Sequence, residues 1–337
     1  MPRGRPTRAS VYARLDAAMA DLHSRLGGLP APAEAGFVWR DIWHLEAHHS
    51  TALEGNTLVI REVEALLEQG RAIGAKPLKE YMEVKGYADA ATWVYSQAHF
   101  GESGGSGNLI SLTEVRHIHA TAMRPVWDVA PHPDANDREG PGNFREHDIR
   151  PFPGGMTPPS WPLVPARTQD WLDQANGAAT QLREGRGRTP FPEVLAVLHN
   201  DFEQVHPFID GNGRTGRLAL NLLLVRLGYP PIIIMKRQRD TYLKAMQRAD
   251  DGDAGLLGEL LARAMLDSLN RFILPNVAGP ARLVPLAALV DDRFTVTALR
   301  QAAQRGRLEA FQGPDGLWLS SRKAVDEYAR AKHSRRR

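Results

Sequence analysis

Apolar residues recur at intervals of three and four along most of the chain, which is the spacing of helices that bury one face. Val11, Leu15, Met19 and Leu22 show this spacing near the N-terminus. The same pattern predicts helices over residues 7–27, 37–53, 61–71, 77–99, 111–123, 167–185, 192–205, 240–249 and 254–273. Stretches rich in glycine and proline separate these helices, as breakers of regular structure do. We therefore expect an all-α body.

The last segment of the chain follows a different pattern. After a linker at 275–280, residues 282–337 combine helical patterns with a turn at 313–316 that has apolar residues on both sides, which predicts a β-hairpin. The order helix, turn, helix, hairpin and helix resembles a winged helix-turn-helix of the excisionase or MerR type. We therefore divide the chain into a helical region over 1–106, a core over 107–275 and a small domain over 282–337.

Composition narrows the class of protein. The chain has 337 residues, of which 42% are hydrophobic and 24% are charged, as in soluble globular proteins. It contains no cysteine, which excludes disulfides, thiolate metal sites and cysteine nucleophiles. No stretch reaches the roughly 18 apolar residues of a membrane span, and the N-terminus lacks the apolar core of a secretory signal. We expect a cytoplasmic protein with no membrane partner.

Charge is distributed unevenly along the chain. The net charge is +3, but residues 282–337 carry a local excess of +6 and the preceding residues a local charge of −3. A basic segment favours a nucleic-acid partner. Arg300 and Arg305 on the predicted recognition helix, and Arg307 at the start of the wing, are the candidate DNA-binding residues. A protein-docking module with a basic tail is the alternative.

Residues that could bind an anion or transfer a proton are concentrated in the stretch His206-Pro207-Phe208-Ile209-Asp210-Gly211-Asn212-Gly213-Arg214-Thr215-Gly216-Arg217. Its glycines allow the backbone to approach an anion closely, and its arginines offer forked donors to phosphate oxygens. The apolar run 218–225 that follows predicts a buried helix, whose N-terminus favours negative charge. Asp210 suits Mg²⁺, and His206 can accept a proton near neutral pH. These residues predict a polyphosphate site.

This stretch resembles the Fic family signature H-P-F-x-(D/E)-G-N-G-R-x-x-R at every fixed position. The resemblance implies a helical core with a short β-hairpin flap, and transfer of AMP from ATP, with Mg²⁺ held by Asp210, to a Tyr, Thr or Ser hydroxyl of a target protein or of the enzyme itself. It implies that His206 is the catalytic base. The nucleotide-binding residues would be Asp210, Gly211, Asn212, Gly213, Arg214, Thr215, Gly216, Arg217, Tyr242 and Asp250. The family's phosphotransferase branch has lysine at the position of Gly213, so glycine favours AMP transfer.

A second motif, Ser50-Thr51-Ala52-Leu53-Glu54-Gly55, ends the helix predicted at about 37–56. It resembles the inhibitory motif (S/T)-x-x-x-E-(G/N) of Fic proteins that carry their own inhibitory helix. In the family this glutamate pairs with the second arginine of the signature, here Arg217. A carboxylate in that place occupies the arginine and repels an incoming phosphate. The alternative is that Glu54 is an exposed residue at a helix end.

Residues 131–165 are rich in proline and glycine, and a structureless segment of this length is usually functional. Gly142-Asn143-Phe144-Arg145 resembles the family's G-x-F-R element, and residues 149–156 fall where Fic proteins have the flap that binds an extended target segment. The target-binding candidates are Arg150, Pro153, Gly154, Gly155 and Met156. Because proline interrupts strand pairing, we expect a short or irregular hairpin, and a plain surface loop is the alternative.

Other readings of the chain stay open. Fic enzymes also remove AMP when the inhibitory glutamate positions a water molecule, and the donor could be a nucleotide such as UTP. A different class of function is a DNA-bound transcriptional regulator that uses the core as a self-modifying switch. The histidines at 44, 48, 49, 117 and 119 lack the spacing of metal ligands, so we interpret them as surface or packed residues. The sequence identifies no target protein and leaves a homodimer open.

Overall fold

The structure, a computed structural model, describes residues 6–26, 28–30, 36–97, 108–151, 155–183, 189–277, 283–313 and 316–334. Its main body is helical, as the apolar pattern predicts. The helices are α1 (Arg8–Leu26), α2 (Gly36–Leu53), α3 (Ile60–Gln69), α4 (Leu78–Ser96), α5 (Leu112–Trp127), α6 (Val164–Arg183), α7 (Phe191–Val205), α8 (Asn212–Arg226), α9 (Arg239–Asp250), α10 (Gly255–Ser268) and α11 (Leu274–Val277). Short 3₁₀ turns lie at Trp161–Leu163 and Lys236–Gln238, and a π-helical turn, Leu269–Ile273, joins α10 to α11.

Helix α8 lies at the centre of the body. It contacts α2, α4, α5 and α7, and the run Leu218–Val225 is buried on all sides, as expected of a helix that is apolar all round. The neighbouring helices close the core in pairs, with α4 packed on α2 and α5, and α7 packed on α6 and α10. The N-terminus of α8 is therefore held at a fixed place by four surrounding helices.

Residues 128–160, between α5 and the 3₁₀ turn Trp161–Leu163, contain no strand in the part that the structure describes. The hairpin expected at 149–156 is therefore not seen in residues 149–151 and 155–156. Its predicted tip, which includes Pro153 and Gly154, lies outside the described residues. Proline lacks the N–H that a ladder needs, and Pro151 precedes this tip directly.

The C-terminal segment forms a small sheet with helices around it. Strands β1 (Val284–Pro285), β2 (Phe311–Gln312) and β3 (Trp318–Ser320) pair antiparallel in the order β1-β3-β2, with Phe311 opposite Leu319. A 3₁₀ turn (Leu286–Leu289), α12 (Val296–Gln304) and α13 (Arg322–Ser334) complete the unit. The helix expected at 285–289 is thus a single tight turn. The later elements follow the predicted order of helix, hairpin and helix, while the winged-helix resemblance and its DNA-binding role stay predictions.

The C-terminal unit rests on the main body. Its turn Leu286–Leu289 packs against the π-helical turn Leu269–Ile273 and against α11, and the apolar side chains on both sides belong to one buried cluster. Within the described ranges, no helix is both long and apolar enough to cross a membrane. The division into three regions and the homodimer stay predictions.

Candidate nucleotide site

The loop between α7 and α8 is fixed by two residues with left-handed backbone conformation. His206, the C-cap of α7, has φ of 47°, a conformation that is costly for a residue other than glycine. Gly211, the N-cap of α8, has φ of 77°, which glycine adopts readily. Asn212 braces the turn between them: its Oδ1 accepts from the N–H of Phe208 at 2.9 Å, and its Nδ2 donates to the Phe208 carbonyl at 2.8 Å.

This loop opens on a cavity of about 600 Å³. Most of the predicted site residues line it: Glu54, Gly155, Met156, His206, Asp210, Gly211, Asn212, Gly213, Arg214, Arg217, Tyr242 and Asp250. Of the predicted residues that the structure describes, three do not. Thr215 is wholly buried, Gly216 faces α7, and Arg150 is exposed on the flap away from the cavity wall. A Cβ at Gly216 would lie 2.5 Å from Glu203 Oε1, so this glycine serves the close packing of α8 on α7.

His206 presents a neutral imidazole to the cavity. Its Nδ1 lies 3.1 Å from the carbonyl oxygen of Glu203, a contact that assigns the ring proton to Nδ1 and acceptor character to Nε2. Burial lowers the pKa of His206 to about 4, with the Arg145 guanidinium acting in the same direction. The ring is therefore unprotonated at neutral pH, as a general base must be.

Arg145 holds the base of the flap to the loop. This buried arginine donates from Nε to the His206 carbonyl at 2.9 Å, from Nη2 to the Pro159 carbonyl at 2.5 Å and from Nη1 to the His147 carbonyl at 3.0 Å. The arginine of the G-x-F-R element thus fixes the backbone of His206 and both ends of the flap with one planar group.

Asp210 supplies the carboxylate at the start of α8. It accepts from the N–H of Gly211 at 2.5 Å and from Arg214 Nη2 at 3.0 Å. Burial alone would raise the pKa of Asp210, but Arg214 and this N–H outweigh it and hold the pKa below its usual value. One ionised carboxylate, 37% exposed beside the cavity, fits Mg²⁺, which binds one or two carboxylates and completes its shell with water and phosphates. No cluster of three or more metal-binding side chains occurs in the described part of the chain.

Arg217 is held by the end of α2. Its Nη2 donates to Glu54 Oε1 at 2.6 Å, and its guanidinium also donates to the hydroxyl and carbonyl oxygens of Ser50, at 2.7 Å and 3.1 Å. Burial would raise the pKa of Glu54, but Arg217 and Arg214 together hold it below its usual value, so the pair is ionised at neutral pH. Glu54 Oε1 lies 2.5 Å from where a Cβ of Gly213 would stand, directly over the first turn of α8.

Three buried residues around the site belong to no sequence motif. His119 on α5 stacks on Phe208 at 3.7 Å between ring centroids. Its Nδ1 accepts from the N–H of Gly142 at 2.8 Å, so its Nε2 is left to donate to the Asp210 carbonyl at 3.0 Å. His119 was interpreted as a surface or packed residue, and it packs directly beneath the signature loop.

The other two, Glu203 and His199, lie on α7. Burial, with the charge of Glu54 adding to it, raises the pKa of Glu203 to about 8, and its Oε1 has no hydrogen-bond partner among the described residues. Burial lowers the pKa of His199 to about 3, and its Nε2 lies 2.7 Å from the Tyr242 hydroxyl. Both are therefore neutral at pH 7, Glu203 in the wall of the cavity and His199 behind Tyr242.

A second cleft, of about 510 Å³, begins where the first one ends. Met156 lines both cavities, and Val205 lines the second directly before His206 in the chain. Two acidic residues, Asp170 on α6 and Asp201 on α7, line this cleft. Burial raises the pKa of Asp201, and Gln174 donates a hydrogen bond to it.

The central helices match a known family. Residues 109–224, which include α5 to the end of the α8 apolar run, match the model of the Fic/DOC family. This segment is about a third of the chain, and it contains the signature loop and the first turns of α8.

The chain is also similar to individual Fic proteins. It is 29% identical over 242 residues to protein adenylyltransferase Fic of Drosophila willistoni, which covers 70% of this chain and 43% of that protein. The chain spans about half the length of the curated relatives it matches.

Two solved structures share the fold. A fragment of Fic-1 from C. elegans superposes with a TM-score of 0.62 at 24% identity, over 79% of this chain and 71% of that one. A Fic family protein from Desulfovibrio desulfuricans G20 superposes with a TM-score of 0.54 at 21% identity, over 95% of this chain and 98% of that one.

Proposed function

We propose that this protein transfers AMP from ATP to a hydroxyl side chain of a target protein, and also to itself. The observation that carries the proposal is that one cavity contains the neutral His206, the ionised Asp210 and two arginines at the N-terminus of a buried helix. The similarity to proteins named protein adenylyltransferase supports it.

In this proposal the phosphates of ATP lie on the first turn of α8. The backbone N–H groups of Asn212 and Gly213 and the helix dipole favour the anion there, and Arg214 steadies the phosphate chain. The side chain of Asn212 is engaged with Phe208, so its backbone N–H is the group that we assign to the α-phosphate. Arg217 takes the terminal phosphate, and the base and ribose extend toward Tyr242 and Asp250.

Asp210 would hold one Mg²⁺ beside the bound phosphates, and the ion would supply positive charge that favours the departure of pyrophosphate. Asp210 suits this task because Arg214 and the N–H of Gly211 keep it ionised and oriented. The hydrogen bonds that orient a ligating carboxylate commonly matter nearly as much as the ligand itself.

The transfer step needs one base. His206 Nε2 removes the proton of the incoming hydroxyl, whose oxygen forms a bond to the α-phosphorus. The bond between the α-phosphorus and the oxygen bridging to the β-phosphate breaks, and pyrophosphate leaves. The α-phosphate oxygens lie against N–H groups that are already oriented, which is the usual source of electrostatic stabilisation. Gly213 keeps the first turn of α8 open to the α-phosphate, in keeping with AMP transfer.

Glu54 would set the resting state. Its carboxylate contacts the arginine that is assigned to the terminal phosphate, and its negative charge repels that phosphate. The contact is available for exchange because the Glu54 side chain is 41% exposed, whereas the Arg217 side chain is 5% exposed. A partner that draws α2 away would therefore activate the enzyme.

The target segment would run along the second cleft. Its hydroxyl must reach His206, and the nucleotide fills the first cavity, so the residues next to the hydroxyl need the adjoining space past Met156. Gly155 and Met156 are the described flap residues on this path, with Pro153 and Gly154 proposed at the flap tip and Arg150 at its outer edge.

The test is labelling with ATP that is radioactive at the α-phosphate. The Glu54→Gly variant should label itself and proteins of a lysate, and His206→Ala should abolish the label. A decrease in labelling when unlabelled UTP is added would reveal a different donor. Loss of label from a pre-labelled target, with no pyrophosphate added, would reveal the removal of AMP. Absence of label from every variant would reject the transferase proposal.

A second candidate function is DNA binding by the C-terminal unit. The exposed arginines Arg305 and Arg307 follow α12 directly, as the wing of the resembled fold requires. Arg300 is also exposed, but it lines a cavity of about 560 Å³ together with Arg14 and Asp21 of α1, so this part of the proposed recognition helix faces α1. A gel-shift assay of the full chain at low and high salt tests the idea, since phosphate contacts weaken steeply with salt. No shift at low salt would reject it.

A further inference from the structure

Helix α2 meets α8 through a ladder of polar contacts. Glu46, Ser50 and Glu54 recur at four-residue intervals and therefore share one face of α2 and its end. Arg217 and Asn221 share a face of α8 in the same way. Asn221 contacts Glu46, and Arg217 contacts Ser50 and Glu54, so the two helices run in opposite directions and the ladder ends at the nucleotide cavity.

Glu46 forms the inner end of this ladder. It is 3% exposed, and three donors from two other helices converge on its carboxylate. Tyr87 donates to Oε1 at 2.6 Å and Asn221 Nδ2 donates to Oε1 at 2.8 Å, while Tyr95 donates to Oε2. A buried carboxyl group that is bonded in this way fixes the position of its helix, because moving it would leave several buried polar groups without partners.

The groups that bind Glu46 are themselves held in place by hydrogen bonds. Asn221 exchanges two hydrogen bonds with Ile232, accepting from its N–H at 2.8 Å and donating to its carbonyl at 3.0 Å. Tyr87 also shares a hydrogen bond with Ser50, which in turn accepts from Arg217. Hydrogen bonds therefore connect Glu46 to the Glu54–Arg217 pair through Tyr87 and Ser50.

The contact between Glu54 and Arg217, at the outer end of the ladder, is weaker than the contacts of Glu46 at its inner end. Glu54 follows the last residue of α2, its side chain is 41% exposed, and partly exposed ion pairs contribute little by themselves. Something other than the pair must therefore keep the end of α2 over the first turn of α8.

We propose that Glu46 is a positioning residue that locks α2 onto α8 and so holds Glu54 against Arg217. The inference rests on the proposed function, because it concerns the regulation of the same site. Glu46 takes no part in the transfer itself. Its removal should free Glu54 without touching His206 or the phosphate-binding residues.

The test is a double-mutant comparison of self-labelling with ATP radioactive at the α-phosphate. Glu46→Leu should label itself at least fivefold faster than wild type, whereas in the Glu54→Gly background the same change should alter the rate less than twofold. Asp41→Leu, which changes an exposed carboxylate on the same helix, is the matched control and should resemble wild type.

Two results would overturn the inference. One is a folded Glu46→Leu variant that labels at the wild-type rate. The other is an equal loss of rate in both backgrounds, which would mean a purely structural role. If Glu46→Leu does not fold, Glu46→Gln is the variant to measure, since it keeps the shape of the side chain but gives up one acceptor oxygen. A self-labelling rate above that of wild type supports the inference, and an unchanged rate overturns it. Failure of the proposed function is distinguishable, because Glu54→Gly alone would then show no label.

Discussion

Arg217 Nη2 lies 2.6 Å from Glu54 Oε1, so the arginine that we propose for the terminal phosphate is already paired with a carboxylate from the end of another helix. The pair joins residues 163 positions apart in the chain. Under the proposed function, the internal carboxylate of Glu54 and an incoming polyphosphate compete for Arg217.

Removing Glu54 should therefore activate the protein. We expect Glu54→Gly to raise the rate of self-labelling by tenfold or more, because a tenfold change in occupancy of Arg217 requires only about 1.4 kcal/mol. Glu54→Gln, which keeps the size but loses the charge, should give a smaller rise. Labelling that is equal in wild type and Glu54→Gly would count against autoinhibition.

Replacing the base should stop the chemistry and spare binding. In the Glu54→Gly background, His206→Ala should reduce labelling by about 10² to 10⁴-fold, the usual contribution of a general base. The affinity for ATP, measured by calorimetry, should change only a few-fold, because the assigned phosphate contacts come from α8. Persistent labelling would remove His206 as the base.

The raised pKa of Glu203 predicts that the stability of the protein depends on pH. Its pKa is raised by burial from an ordinary 4.5 to about 8, so between these values the folded protein binds more protons than the unfolded chain. Stability is then lost as pH rises through this window, by roughly 5 kcal/mol at most. The Glu203→Gln variant has no carboxyl group to ionise and does not lose stability in this way. The difference between its melting temperature and that of wild type should therefore increase from pH 5 to pH 8.

The control for that measurement is Glu64→Gln, which changes an exposed carboxylate on α3. Its melting temperature relative to wild type should stay constant over the same range. A difference between Glu203→Gln and wild type that is independent of pH would contradict the raised pKa of Glu203.

The second cleft predicts the charge of preferred targets. Asp201 and Asp170 line it together with Arg167, whose Nη1 lies 3.7 Å from Asp170 Oδ2, so the lining keeps an acidic excess. Glu54→Gly protein should therefore label hydroxyl-bearing peptides with arginine beside the hydroxyl several-fold faster than peptides with glutamate there. Asp201→Lys should reverse this order, whereas Asp173→Lys, on the same helix as Asp170 but outside the cleft, should leave it unchanged. Equal labelling of both peptides by the Glu54→Gly protein and by the Asp201→Lys and Asp173→Lys variants would show that the cleft does not select targets by charge.

The signature loop and its helix could be predicted from the sequence because they are local. A glycine-rich segment before an apolar run fixes the N-terminus of α8, and the motif places His206, Asp210 and Arg217 on one short stretch. The C-terminal hairpin was predicted in the same way, from a turn between apolar residues, and β2 and β3 confirm it.

The remaining site residues depend on contacts between helices. Glu203, His199 and His119 carry no motif, and only the packing of the helices places Glu203 in the cavity wall and the two histidines behind it. An apolar residue in a predicted helix also need not face the core: Val197, within the helix predicted over 192–205, is 37% exposed. Thr215 and Gly216 were predicted to bind nucleotide because they lie inside the motif, but the turn of α8 directs them toward its neighbours.

The most direct test of the central claim is the intact mass of purified Glu54→Gly protein after incubation with ATP and Mg²⁺. AMP transfer by His206 predicts a mass increase equal to one or more AMP groups, absent from the Glu54→Gly variant that also carries His206→Ala. An increase equal to a phosphate group, or no increase while ATP binding is retained, would contradict it.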